Sequence, residues 1–215
     1  MVTSIGGLLL VGLELGFSLR RNPDMKDWAT VGDGTKLELI REDEYERQFF
    51  LIEASSPAAL DIERIPRLME VWGIYGCLVA WDADTGPSTD TVHLATWLVK
   101  SDCRFATVVG KEAERVTSWI DSCVKVQYGE NVLDARGRPP VITWFLDPSK
   151  SDTTSRGKPD LESLTRIFLI GDLLFNPFHD ALKRFVCISI GNSEWAALMR
   201  RGLGDPRGLR DEYGR

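Results

Sequence analysis

Reactive side chains are scarce in this chain, and each scarcity removes a class of function. Only four cysteines stand in 215 residues, Cys77, Cys103, Cys123 and Cys187, and no two form a CxxC pair. The two histidines, His93 and His179, lie far apart with no cysteine at ligand spacing, so a structural zinc site has no ligand set. No GxSxG elbow supports a serine hydrolase, and neither GxGxxG nor a Walker-A sequence follows any apolar run. Lysine and arginine form no long run and the formal net charge is −6, so bulk electrostatics oppose binding to nucleic acid or an anionic membrane.

Long hydrophobic stretches are also missing. The run over residues 5–17 falls short of a membrane span, is interrupted by Glu14, has no basic residue before it and is followed by Arg20-Arg21. It reads as a buried strand rather than a signal peptide, and a cytoplasmic location is the expectation. Three of the cysteines sit in apolar, strand-like runs and read as small buried hydrophobes of a reducing compartment, while Cys123 falls on the apolar side of a helix.

What the chain does contain is a fourfold alternation over residues 75–203. Short apolar runs at 75–81, 104–109, 141–146 and 185–190 are each followed by helical spacing, at 91–100, 111–126, 160–175 and from Asn192 or Ser193 onward. Four strand-helix pairs in succession predict an α/β fold, a three-layer doubly wound, mainly parallel sheet. Residues 36–41 and 47–54 are strand-like too, and Gly32-Asp33-Gly34 supplies a turn after 28–31. With 8–19 they predict an N-terminal antiparallel β extension, either a subdomain or added strands on the edge of the sheet. Ser56-Pro57 marks a helix start, and Pro66 breaks the helix that follows. The expected division is therefore 1–70 as meander and connecting helix, 71–204 as the α/β domain, and 205–215 as a flexible tail.

Doubly wound sheets bind ligands beyond the carboxyl ends of their strands. Those ends carry Trp81-Asp82-Ala83-Asp84, Gly110-Lys111-Glu112, Asp147 after the third strand with Trp144 inside it, and Gly191-Asn192-Ser193. Candidate binding residues are Lys111, Asp147, Trp81 and Trp144. Two carboxylates at Asp82 and Asp84 beside a lysine are a donor set for magnesium and phosphate. No cofactor is otherwise expected. His93 is expected as a hydrogen-bonded residue on a helix flank, and His179 as a loop histidine. The seven tryptophans are core residues unless several are exposed together, in which case a protein-binding face is implied.

Two resemblances add to these expectations. Asp82-Ala83-Asp84-Thr85 resembles the first motif of the haloacid-dehalogenase phosphatases, which implies Asp82 as nucleophile and Asp84 as acid/base. The chain departs from that motif because Thr85 follows Asp84 directly and no paired acidic motif follows a later strand. The segment Trp97-Leu98-Val99-Lys100-Ser101-Asp102-Cys103, running into Val108-Val109-Gly110, resembles an uncharacterised family of small bacterial α/β domains. That family has glycine where Asp102 stands, and the likeness extends over residues 75–191. It implies a bacterial origin and the α/β fold, with no activity or site residues attached.

The sequence thus leads first to a non-catalytic cytoplasmic protein-binding module, of the kind found in bacterial immunity or phage defence, with a protein partner and with no nucleic acid or membrane. A magnesium-dependent phosphohydrolase using Asp82 and Asp84 is the alternative. A nucleotide-sensing domain is third, since Gly110 and Gly191 at strand ends could admit a phosphate.

Overall fold

The computed structural model describes residues 28–32, 34–43, 46–60, 74–82, 88–130, 133, 139–146, 161–175 and 182–205. Among them are seven strands: β1 Trp28–Gly32, β2 Thr35–Glu42, β3 Gln48–Ala54, β4 Tyr75–Trp81, β5 Cys103–Gly110, β6 Ile142–Leu146 and β7 Arg184–Ile190. Four helices accompany them: α1 Ser88–Lys100, α2 Ala113–Tyr128, α3 Leu161–Phe175 and α4 Ser193–Gly204. The strands form one sheet in the order β1-β2-β3-β7-β4-β5-β6. The strand expected at 8–19, the broken helix expected over 58–72 beyond Leu60, and the expected tail beyond Asp205 lie outside the described residues.

The fold is the three-layer α/β arrangement that the alternation predicts. Strand residues alternate between two apolar layers. Cys77, Val79 and Trp81 of β4 pack with Leu94 and Leu98 of α1 and with Val116 and Ile120 of α2. Leu78 and Ala80 point the other way, toward Leu161 and Phe168 of α3 and Trp195 and Met199 of α4. Because both faces are covered, all seven residues of β4 are buried, which is why a parallel strand reads as a continuous apolar run.

One strand differs in role from its expectation. The hairpin β1–β2 and the pairing of β2 with β3 are antiparallel, as the Gly-Asp-Gly turn implies. β3, however, runs parallel to β7, with Phe50 opposite Val186 and Ile52 opposite Ile188. It is therefore a fifth parallel strand, continuous with the four that follow Tyr75, and the antiparallel extension joins the sheet through it. Periodicity encodes burial and not direction, and β3's partner is more than a hundred residues away in the chain.

Local chemistry sets the element ends. Ser56 caps a single 3₁₀ turn, Pro57–Ala59, accepting from the Ala59 amide at 3.2 Å, with proline at the first helical position. Asp102 joins α1 to β5 with φ +66, a left-handed conformation that short polar residues and glycine adopt most readily. A Cβ on Gly202 would stand 2.8 Å from the Glu162 carbonyl oxygen, so α4 crosses α3 at backbone contact distance.

Candidate functional site

The strand order creates a place where the chain diverges. β4 and β7 are parallel neighbours, with Trp81 opposite Ile190. β4 is followed by α1 on one face of the sheet and β7 by α4 on the other. Neighbouring strands that lead to opposite faces define a topological switch point, with the crevice beyond their carboxyl ends.

Asp82 stands at that point. Its amide donates to the Ile190 carbonyl at 3.0 Å, continuing the β4–β7 ladder one residue past the strand. Its carboxylate is held from two sides: Asn192 Nδ2 donates to Oδ2 at 2.6 Å, and Lys111 Nζ lies 3.6 Å from Oδ1. Asn192 is itself fixed. Its Oδ1 accepts from the Trp195 amide at 3.0 Å as the N-cap of α4, and its carbonyl accepts from Ser189 Oγ at 2.8 Å and from the Ala196 amide. The carbonyl oxygen of the amide must face the helix, so the amide nitrogen must face Asp82. Three strand ends, those of β4, β5 and β7, are thereby joined through one carboxylate.

Of the residues singled out from sequence, Asp82 and Lys111 are brought together. Trp81 is 1% exposed and packs in the layer beneath α1 and α2, its indole nitrogen buried without a hydrogen-bond partner among the described residues. Trp144 lies within β6, opposite Thr107 of β5. Asp84 and Asp147 lie outside the described residues, as does His179. His93 is exposed on α1 and its side chain bonds to no described residue, in contrast to the bonded flank residue expected there. Asn192 was legible only as a cap. Its bond to Asp82 spans 110 positions of sequence, which no local pattern signals.

The two strand-end glycines do different things. Gly110 has φ +113, and a Cβ there would stand 2.1 Å from the Trp81 carbonyl oxygen, which accepts from the Lys111 amide at 3.2 Å. Its missing side chain serves the contact between β5 and β4. Gly191, at φ +81, is exposed and lines a groove of about 370 Å³ between the β2–β3 pair and the start of α4.

The described cysteines offer no nucleophile at the switch point. Cys77, Cys103 and Cys187 are buried in β4, β5 and β7. Burial raises all three thiols, Cys103 to about 12, so they remain protonated at neutral pH. Cys123 is partly buried, packed at the rim of the core with its sulfur 3.5 Å from Thr96 Oγ1. A magnesium site would need Asp82 as a ligand, yet each oxygen of that carboxylate already faces a donor nitrogen, which is a poor fit to a cation. Among the described residues no three His, Cys, Asp or Glu side chains are grouped as metal ligands.

Large apolar side chains reach solvent elsewhere. Trp119 and Val126 of α2 are 38% and 90% exposed. Seven residues apart, they share one helix face about 10 Å apart along the axis. Trp81, Trp97 and Trp195 are buried, so Trp119 is the exposed tryptophan among those whose side chains are described. No helix among the described residues is long and apolar enough to cross a membrane. No protein-family model matches the chain, and no curated protein matches it.

Proposed function

We propose that the chain is a non-catalytic binding module that acts through a protein partner. The observation that supports this most strongly is the state of Asp82. A nucleophilic or metal-binding carboxylate needs an open oxygen directed at the reacting group, whereas Asp82 is bonded by Asn192 and flanked by Lys111. It acts as a tie between three strands. The partner-facing surface in this proposal is the outer flank of α2, where Trp119 and Val126 stand exposed on an otherwise polar outer face. A bacterial immunity or defence setting belongs to the same proposal; the bacterial origin comes from the sequence resemblance alone, and the binding role from the lack of an intact catalytic constellation, the net charge of −6 and the seven tryptophans.

Two measurements test it. In a thermal-shift titration with magnesium, and in an assay on a phosphate monoester, the native chain and Asp82→Asn should respond alike, without metal stabilisation and without turnover. An Asp82-dependent response to magnesium would return the phosphohydrolase to first place. Photo-crosslinkers placed at positions 119 and 126 should each trap a protein, the adduct from position 126 should be abolished by Trp119→Glu, and a crosslinker at position 201 on α4 should trap none. Adducts of equal yield from all three positions would remove α2 as the contact surface.

A further inference from the structure

β6 ends the sheet opposite β1, and among the described residues its backbone pairs with β5 alone. A strand in that position presents a row of free N–H and C=O groups, and such edges are ordinarily defended by charge, proline or a bulge within the strand. β6, ITWFL, has none of the three: its residues are uncharged, none is proline, and its register with β5 runs without a shift. The edge is apolar as well, with Phe145 46% exposed. Thr143 and Phe145 lie opposite Ala106 and Val108, which belong to the layer beneath α1 and α2, so both point to the α2 side of the sheet.

The neighbouring helix carries complementary charges. α2 joins two parallel neighbours, β5 and β6, so it runs antiparallel to them, and it packs on both. Thr143 Oγ1 donates to Asp121 Oδ1 at 3.0 Å, which marks the side of α2 nearer the edge. Glu114, Ser118, Asp121 and Lys125 share that side at three- and four-residue steps, and all four are exposed. The carboxylate of Glu114 and the ammonium of Lys125 make no ion pair among the described residues. Trp119 and Val126 fall on another flank of the helix.

We propose that this edge joins a second copy of the chain, β6 against β6 in antiparallel pairing about a twofold axis normal to the sheet. Such an axis must pass through a residue, because opposed residues share a face and side chains alternate along a strand. An axis through Trp144 uses all five positions: Ile142 meets Leu146 of the other copy, Thr143 meets Phe145, and Trp144 meets its own equivalent. Asp121 stands level with Thr143, one residue short of the axis. At about 3.3 Å per strand residue and 1.5 Å per helix residue, the axis passes level with residues 119 and 120 of α2. Two antiparallel α2 helices about that point set Glu114 of each copy against Lys125 of the other, and Ser118 against Asp121. α2 lies above the boundary of β5 and β6, so with strands about 4.8 Å apart the two helix axes stand about 10 Å apart, a packed-helix distance. An unrelated strand would satisfy the backbone of β6 and leave those charges unmet.

The test is sedimentation velocity with light scattering on the full chain over a concentration series. A dimer of twice the 24.1 kDa chain mass is expected in the micromolar range, with β6 amides exchanging more slowly as concentration rises. Phe145→Lys, which charges the edge, should weaken it about tenfold or more. Glu114→Lys and Lys125→Glu should each weaken it about threefold or more, and the double exchange should restore it. Lys100→Glu, an equal charge change on α1, should leave it unaltered. A monomer up to millimolar concentration, a dimer indifferent to Phe145→Lys, or charge reversals whose losses add in the double variant would each overturn the proposal. So would a monomer whose β6 amides are protected at every concentration, which would assign the edge to another segment of the same chain. Circular dichroism of the variants separates loss of assembly from loss of fold.

Discussion

β2 and β4 belong to one sheet and obey different rules. β2, TKLELIRE, carries four charged residues in eight, and its burial alternates from the buried Thr35 and Leu37 to the exposed Lys36 and Glu42. β4, YGCLVAW, carries none and is buried throughout. The antiparallel pair at the edge keeps part of its surface toward water and secures its charges laterally, as when Arg200 of α4 reaches Glu38 of β2 and Glu53 of β3. The parallel block is held by apolar contact on both faces, each fully buried large aliphatic or aromatic side chain contributing about 1.5–3 kcal/mol. A single sheet therefore has a region sensitive to volume and one sensitive to charge.

That contrast can be attacked at its strongest point first. Gly110→Ala in the parallel block should destabilise by on the order of 3 kcal/mol, because the added Cβ meets the Trp81 carbonyl and the φ of +113 is unsuited to a side chain. Chemical denaturation followed by circular dichroism measures it, and a loss below 1 kcal/mol would mean that β5 can move away from β4 freely.

Alkaline pH should act on the same block. An unfolded thiol ionises near pH 8.5, whereas burial holds the Cys103 thiol to about 12. Between those values the unfolded chain binds fewer protons than the folded one. The contribution of this thiol is therefore constant below about pH 8.5 and falls as pH rises toward 12, by up to about 1.4 kcal/mol per pH unit. Cys103→Ala should flatten the slope by that amount, and an unchanged slope would assign alkaline unfolding to other groups. The β1–β2 hairpin has no cysteine and contributes nothing through this route.

Breaking the edge should have smaller, more local effects. Arg200→Ala is expected to cost about 1 kcal/mol, since the guanidinium is one-third exposed and its ion pairs are screened. Hydrogen exchange should accelerate in β2 and leave β4 unchanged. Uniform acceleration through both strands would dissolve the distinction between the two regions. The smallest effect is expected for Asp102→Gly, within about 1 kcal/mol of zero, because relief of the left-handed backbone offsets the added chain entropy and the loss of the exposed pair with Arg104.

The parallel block was the more legible region. Its strands and helices carry continuous apolar runs, three- and four-residue steps, and caps such as Asn192, all local signals, and β4 spans the residues expected of it. The hairpin was legible through its Gly-Asp-Gly turn. The direction of β3 was not, because Phe49, Phe50, Leu51 and Ile52 announce burial on both faces without naming the neighbour. At the site, a strand-end carboxylate and lysine could be picked out as Asp82 and Lys111. What binds Asp82 could not, since Asn192 meets it only after the chain has crossed the sheet and returned. Arg200, which reaches Glu38 and Glu53 across the layer boundary, carries no motif at all.

The position of β7 has a consequence for how this protein is made. Of the described strands it is the last to be synthesised, and it lies between β3 and β4, in the interior of the sheet. After β3 leaves the ribosome, on the order of ten seconds pass before β7 follows at ordinary elongation rates. During that interval the edge of β3 destined for β7 has no partner, and Phe49 and Leu51 lack the layer that later covers them. The nascent chain must carry an adhesive strand through most of its own synthesis, so its yield in a cell should depend on chaperone capacity more than the finished fold would suggest.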